Sequence, residues 1–164
     1  MTGRITRSAT QLRPDPRYKD KVLSKFINCV MYGGEKAVAQ RVVYDALERI
    51  QQRIEKEKIE GFPPTAIEVF HKALMNVKPG VEVRSKRVGG ANYQVPMQVT
   101  DRRQQSLGFR WIITAARDEK GKPMAERLAK ELFEAAKGEG KAVTTRETTH
   151  KMADANKAFA HFAW

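Results

Sequence analysis

The sequence predicts an all-α fold, a single domain of about six helices with one projecting β-hairpin. Three observations lead to this prediction. Apolar residues recur every three or four positions in five stretches, the period of an amphipathic helix, and a capping signal marks a sixth. Only one region, within residues 78–103, has the period of two that is typical of a strand. The chain has 164 residues, the length of one ordinary domain.

Local signals mark the first three predicted helices. Asp20 is placed to cap the first, and Gly33-Gly34 stops it. The second follows Glu35, and the third begins at Thr65, which forms a capping box with the Glu three residues later. The apolar stripe expected in the second helix consists of Val38, Val42, Ala46, Ile50 and Ile54, and Val43 and Leu47 widen it.

The later helices are marked in the same way. The fourth begins at Thr100 or Asp101, and Pro123 stands in the first turn of the fifth. A second capping box, Thr144 with Glu147, predicts the start of the last helix. The C-terminal end is rich in aromatic residues, so it is expected to dock on protein or RNA.

Residues 80–99 are predicted to form a β-hairpin arm. Apolar and polar residues alternate in both halves, and Gly89-Gly90 between them tolerates the positive φ of a tight turn. Pro96 cannot donate to a ladder, so it fits a strand with an unpaired edge. A two-stranded ribbon is marginal alone, and its many cations suggest a polyanion as the surface it lies on. An ordinary solvated hairpin with edge-protecting cations is the alternative.

The charge of the chain indicates a polyanionic partner. The formal net charge is +12 and the pI is near 10.0, which favours nucleic acid first and an anionic membrane surface second. No apolar run approaches the roughly 20 residues of a membrane span, and no secretory h-region is present at the N-terminus. Residues 1–19 are basic and contain two prolines, which predicts an extended arm that orders on phosphate.

Residues suited to catalysis are sparse, so the chain is predicted not to be an enzyme and to need no cofactor or metal. Its three histidines do not share a ligand spacing, and Cys29 is the only cysteine. Cys29 lies in an apolar helical run, so a buried packing role is expected. The residues leave two rivals to an RNA-binding protein: a DNA-binding architectural protein with a basic β-arm, and an RNA-modifying enzyme.

Four segments resemble one known family. KPGVEVRSKRVGGANYQVP (residues 78–96), TDRRQQSLGFRWI (100–112), KFINCVMYGGEKAVAQRVVYDAL (25–47) and RETTHKMADANKAFAHFAW (146–164) are similar to the bacterial and organellar type of the small ribosomal subunit protein seven family. The resemblance covers nearly the whole chain. It implies six helices with an extended β-hairpin, in agreement with the periodicity.

The resemblance implies a structural constituent of the small ribosomal subunit, with residues 1–164 forming one ribosomal RNA-binding domain. Such a protein binds the 3′ major domain of small-subunit rRNA and nucleates assembly of the head. Its hairpin and C-terminal region lie near the tRNA exit site and mRNA. The implied partners are rRNA, tRNA, mRNA and neighbouring proteins of the head and platform, with no membrane. The implied location is the cytoplasmic ribosome of a bacterium, with an organellar ribosome as the alternative.

The implied contact residues are mostly cations. The expected RNA-binding residues are Arg4, Arg7, Arg13, Arg17, Lys25, Lys36, Lys78, Arg84, Lys86, Arg87, Arg102, Arg103, Arg110 and Arg117. The residues expected near tRNA and mRNA are Gly89, Gly90, Arg146 and Lys157.

The chain departs from the family pattern at two places. Glu35 stands where the family often has lysine, and the connection at residues 55–64 is a few residues longer than usual. Specificity is expected to come from RNA shape and from unpaired bases stacked on Tyr93, Trp111 or the C-terminal aromatic residues. For Tyr93 and Trp111, packing in the core is an equal alternative.

Overall fold

Amphipathic helices account for most of the chain, as predicted. The structure is a computed structural model, and it describes residues 11–57 and 61–163. The helices in these residues are α1 (Lys21–Val30), α2 (Lys36–Glu57), α3 (Ala66–Val77), α4 (Asp101–Asp118), α5 (Met124–Lys137), α6 (Lys141–Ala155) and a C-terminal 3₁₀ helix (Lys157–Phe162). The only strands described are β1 (Val81–Val88) and β2 (Ala91–Gln98), between α3 and α4. The predicted fold class is therefore confirmed.

The predicted starts of α1 and α3 are confirmed by side-chain caps. The Asp20 carboxylate accepts a hydrogen bond from the Leu23 N–H at 2.6 Å, which satisfies one free donor of the first turn. The hydroxyl of Thr65 accepts from the Glu68 N–H at 3.4 Å. Local sequence therefore determined where these two helices begin.

The predicted start of α6 at Thr144 is wrong. The helix begins at Lys141, and the Thr144 hydroxyl donates back to the Gly140 carbonyl at 3.0 Å instead of capping. The capping acceptor is Glu131 of α5, whose carboxylate accepts from the Ala142 N–H at 2.8 Å. Because the cap comes from another helix, the sequence around residue 141 does not mark it.

A core of aliphatic and aromatic side chains joins all six α-helices. Phe26 is fully buried in this core, with its ring centroid 5.2 Å from that of Phe70 and 5.3 Å from that of Phe109. The predicted stripe of α2 is confirmed at Val43, Ala46, Leu47 and Ile50, but Val38 is 49% exposed and Ala39 is buried in its place. The buried residues of α2 are Ala39, Val43, Ala46, Leu47 and Ile50.

Helices α3 and α4 approach closely at one glycine. A Cβ on Gly108 would lie 3.0 Å from the Leu74 Cδ1, closer than side chains normally pack. This contact brings the middle of α4 against the last turns of α3, and the hairpin connects the end of α3 to the start of α4. The base of the hairpin is thus held by the packing of the two helices beside it.

The hairpin has the predicted turn. Gly89 and Gly90 adopt φ values of 58° and 88°, which a type I′ turn requires, and Val88 pairs with Ala91 beside them. Pro96 lies opposite Val83 in a two-stranded sheet, where each strand keeps one unpaired edge.

One face of the hairpin lies on the C-terminal part of the chain. The Tyr93 ring is 5.1 Å from that of Phe159 and 5.2 Å from that of Phe162, between ring centroids. The Lys86 ammonium donates to the Phe162 carbonyl at 2.7 Å. The aromatic C-terminal end therefore docks on protein, and it supplies a surface for which the sequence had suggested a polyanion.

The predicted N-terminal arm of residues 1–19 is not extended throughout. Residues 1–10 lie outside the described residues. Asp15 is 2% exposed, accepts hydrogen bonds from the Arg17 and Tyr18 N–H groups and from the Tyr44 hydroxyl, and so holds a tight turn against α2. Burial and the Asp15 hydrogen bond raise the pKa of Tyr44 to about 12. Asp15, which stabilises this turn, is the only acidic residue in the sequence of the arm.

Candidate nucleic-acid interface

A groove between α1 and α4 carries four of the predicted RNA-binding residues. Two adjoining depressions with volumes of about 290 and 320 Å³ share Cys29, Ser106 and Phe109 in their walls. The cations that line this α1–α4 groove are Lys25, Arg102, Arg110 and Arg117. Arg110 and Arg117 are seven residues apart, about two helical turns, which is why one helix presents both to the same groove.

The groove is electrostatically uncompensated. Lys25, Arg102 and Arg110 form no ion pair with any residue that the structure describes. Arg117 donates to the Val30 carbonyl at 3.2 Å, so it also closes the C-terminal end of α1. Cations without a carboxylate partner raise the local positive potential and attract anions.

Cys29 faces this groove instead of the core, which corrects the expected buried position. Partial desolvation raises the pKa of its thiol, against the opposing effect of the Lys25 ammonium. The thiol therefore stays protonated at neutral pH and serves as a small apolar part of the groove wall.

The cations of the hairpin divide between two faces. Glu82 is 7% exposed and is bound by the Arg84 guanidinium at 2.5 Å and by that of Arg103 at 3.1 Å. Lys86 lies on the same face of the ribbon, because residues two apart on a strand point the same way. Arg87 is exposed on the other face, opposite Asn92. The expected set of Arg84, Lys86 and Arg87 is therefore not one surface.

The remaining predicted RNA-binding residues are scattered around the body. Arg17 forms an ion pair with Glu48 at 2.6 Å, Lys78 is half-buried at the end of α3, and Lys36 is exposed at the start of α2. Arg13 is also exposed. Arg4 and Arg7 lie outside the described residues.

The residues expected near tRNA and mRNA also differ in accessibility. Gly89 and Gly90 are exposed at the hairpin tip, and Lys157 is exposed at the start of the 3₁₀ helix. Arg146 is half-buried, donates to the Asn76 carbonyl and lies 3.5 Å from the Glu147 carboxylate. It fastens α6 to the end of α3.

The aromatic residues proposed to stack on bases are largely occupied. Tyr93 packs on the C-terminal aromatic residues, and Trp111 packs partly buried against the core. Tyr32 is 85% exposed in the turn between α1 and α2, and the sequence reasoning missed it. The sequence does contain a signal for this exposure. Tyr32 directly precedes Gly33-Gly34 and lies outside the apolar stripe of the helix before it.

The described residues contain no cluster of three or more His, Cys, Asp and Glu side chains that could hold a metal ion. His71 lies 2.8 Å from the Asp20 carboxylate, and His150 accepts from the Gly80 N–H at 3.2 Å, so both join structural elements. None of the helices described has the length and apolar character of a membrane span.

A helical body with a short hairpin and an open groove of unpaired cations defines a class: a small basic protein whose surface is suited to a polyanion. Comparison with known proteins makes this specific. A family model described as ribosomal protein S7p/S5e matches residues 3–157. The chain belongs to this ribosomal protein family, which is structural and not enzymatic, as the sequence predicted.

Individual relatives cover essentially the whole chain. It is 62% identical over 162 residues to small ribosomal subunit protein uS7 of Rhodopirellula baltica, covering 99% of both chains. It is 51% identical over 164 residues to the uS7 protein of Paracoccus denitrificans and 50% identical to that of Rhodobacter capsulatus, covering 100% of both chains in each case. The family resemblance inferred from the sequence is therefore confirmed.

Proposed function

We propose that this chain is a structural constituent of the small ribosomal subunit and binds small-subunit rRNA through the α1–α4 groove. The observation that carries the proposal is the set of four cations from two helices along one open surface, none of which forms an ion pair in the described structure. A ribosomal protein of this charge needs a polyanion to neutralise it. Membership of a ribosomal-protein family makes rRNA that polyanion.

The groove suits the sugar–phosphate backbone. Arg102, Arg110 and Arg117 present planar guanidinium groups that can bind two phosphate oxygens at once, while Lys25 acts as a point charge. Rigid packing of α1 and α4 on the core holds these groups at fixed distances, so they select an RNA shape instead of reading a sequence.

The finer roles belong to the same proposal. The bound RNA is the 3′ major domain, and binding begins assembly of the head. The exposed hairpin tip and Lys157 lie on the side directed to the tRNA exit site and mRNA, because they are accessible while the ribbon between the base and the tip is occupied by protein contacts. The chain acts as one rRNA-binding domain in a cytoplasmic bacterial ribosome, next to proteins of the head and platform.

Binding of the full chain to a 3′ major domain transcript, compared with duplex DNA of equal charge, tests the proposal. Arg110→Ala should weaken binding to the transcript several-fold without changing Tm, because Arg110 is exposed and forms no hydrogen bond or ion pair in the described structure. Arg49→Ala, an exposed arginine of α2 outside the groove, is the matched control. Equal affinity for the transcript and DNA, or equal losses for the two variants, would contradict the proposal.

The alternative of a DNA-binding architectural protein is not favoured. That function uses a free β-arm that reaches around a duplex. Here the hairpin lies on α6 and the 3₁₀ helix, and the family is ribosomal.

A further inference from the structure

A third depression continues from the α1–α4 groove, and its character is apolar. Its volume is about 130 Å³, and it shares Arg117 with the groove. The apolar side chains in its wall are Val30, Val38, Ala39, Val42 and Met124. Tyr32 and Glu35, from the turn between α1 and α2, complete the wall. We call this the Tyr32 depression.

Two large hydrophobic side chains of this depression are exposed to solvent. Tyr32 is 85% exposed and Val38 is 49% exposed, two of the four large hydrophobic residues that are exposed in the described structure. Neither the Tyr32 hydroxyl nor the Glu35 carboxylate bonds any residue that the structure describes. An exposed aromatic side chain beside an apolar wall is typical of a binding surface.

The charge of the neighbouring groove determines which partner fits. The cations Arg102, Lys25, Arg110 and Arg117 lie along the groove that leads to the depression. A ligand that follows this line must carry repeated negative charge and present flat apolar groups at its end. Single-stranded RNA has both properties, and its bases stack on aromatic side chains.

We propose that the Tyr32 depression takes one unpaired RNA base, stacked on the Tyr32 ring, while the groove cations hold the adjoining phosphates. Arg117 stands at the junction, because it lines both surfaces and is fixed by its bond to the Val30 carbonyl. The inference rests on the proposed function and adds to it a site for a base.

Glu35 gives this site a preference. A carboxylate repels phosphate, so we expect Glu35 to contact the edge of a base and not the RNA backbone. Carboxylates accept hydrogen bonds from the exocyclic amino group of cytosine. A cytosine in the depression is therefore preferred over a uracil, which carries a carbonyl at that position. The carboxylate that departs from the family pattern becomes a recognition group.

Fluorescence anisotropy with labelled ten-nucleotide oligo(C), oligo(U) and an abasic strand of equal charge tests the site in the full chain. Tyr32→Ala should weaken oligo(C) binding roughly ten-fold and leave the abasic strand unchanged, while Tyr32→Phe keeps the affinity. Met75→Ala is the matched control, because Met75 is 73% exposed on α3 and outside the depression. Glu35→Ala should remove the preference for oligo(C) over oligo(U).

The outcomes separate this inference from the proposed function. If the protein binds the abasic strand with steep salt dependence but Tyr32→Ala changes nothing, or weakens all strands equally, the base site is overturned while the groove stands. If no strand binds at any salt concentration, the proposed function fails as well. An unchanged ratio of oligo(C) to oligo(U) in Glu35→Ala overturns the role of the carboxylate.

Cross-linking in assembled subunits checks the occupant directly. Tyr32→p-benzoylphenylalanine, incorporated into small subunits and irradiated, should form a cross-link to rRNA. A cross-link to a protein alone would show that a polypeptide covers the depression, and it would overturn the proposal.

Discussion

Arg102 and Arg103, adjacent in the first turn of α4, reach different partners. Arg102 lines the α1–α4 groove and forms no ion pair in the described structure. Arg103 binds the buried carboxylate of Glu82 at the base of the hairpin. Adjacent helical residues point about 100° apart, so one serves an external ligand and the other the fold.

This pair gives a matched prediction. Arg102→Ala should weaken rRNA binding several-fold with Tm unchanged. Arg103→Ala should lower Tm by roughly 2–6 °C, because Glu82 loses one of two cationic partners while buried, which costs about 1–2 kcal/mol. Thermal melting and RNA titration of both variants measure this. Equal effects of the two substitutions on both quantities would contradict the separation.

Glu131 makes the stability of α6 depend on pH. Burial raises the pKa of its carboxyl, although the Ala142 N–H that it caps favours the ionised form. The folded protein thus binds the proton of this carboxyl group more tightly than the unfolded chain does. The resulting contribution to the free energy of unfolding is complete below the ordinary pKa of 4.5 and is lost as pH rises through the raised pKa.

Glu131→Gln keeps an acceptor for the Ala142 N–H and removes the charge. The free energy of unfolding of this variant, relative to that of the wild type, should therefore increase from pH 4 to pH 7. Urea denaturation of both proteins at the two pH values measures this difference. Glu131→Ala should lose about 1 kcal/mol at pH 4, because the cap is absent, and this deficit should shrink towards pH 7, where the wild type loses the contribution of the carboxyl. A glutamine variant whose free energy of unfolding decreases relative to that of the wild type from pH 4 to pH 7 would contradict this prediction.

At the scale of the element, the hairpin has a ribbon held by protein contacts and an exposed turn. Glu82 and Lys86 bind groups of the body and the C-terminal end, while Gly89 and Gly90 are exposed. The strand alternation separates Arg87 from Lys86, and this consequence of a period of two was available from the sequence.

Shortening residues 88–92 around a two-residue Asn-Gly turn should leave the helical core folded and reduce rRNA binding only modestly. The contacts that hold the hairpin, at Glu82 and Lys86, lie outside the shortened segment, and the groove cations are on α1 and α4. Translation should suffer more than binding, through loss of exit-site tRNA retention or reading frame. Circular dichroism, RNA titration and a frameshift reporter measure the three effects. An unfolded variant, or normal translation with binding intact, would contradict this division.

Removal of residues 1–13 should weaken rRNA binding and leave Tm nearly unchanged. The segment is basic, and the anchoring turn begins after it, at the buried Asp15. A further deletion through residue 19 is the control, and it should lower Tm because it removes the Asp15–Tyr44 hydrogen bond. A large fall in Tm for the shorter deletion would place residues 1–13 in the core.

For the whole molecule, the net charge of +12 makes binding an electrostatic event. If roughly six to ten phosphates are neutralised, affinity for rRNA should fall about 10³- to 10⁵-fold between ~50 and ~200 mM salt. The slope of log affinity against log salt concentration measures this number. Arg110→Ala should reduce the slope by about one, whereas Met75→Ala should not, and a flat profile would exclude a polyanionic partner.

The sequence by itself determined the fold class, most helix boundaries and the hairpin turn. These features depend on local physics: helical periodicity, the Asp20 and Thr65 caps, and the positive φ of Gly89 and Gly90. The residues quoted for the family resemblance also determined the family. For the candidate site, the seven-residue spacing of Arg110 and Arg117 in the sequence is enough to put both on one face of α4.

Only the tertiary structure decided which cations are available to a ligand. Arg17, Arg84, Arg103 and Arg146 look like Lys25 and Arg110 in the sequence, yet each binds a carboxylate or carbonyl of the protein. The same holds for the cap of α6 and for the exposure of Tyr32. These contacts join residues distant in the chain, and their formation depends on how the helices pack around the core, which no local pattern encodes.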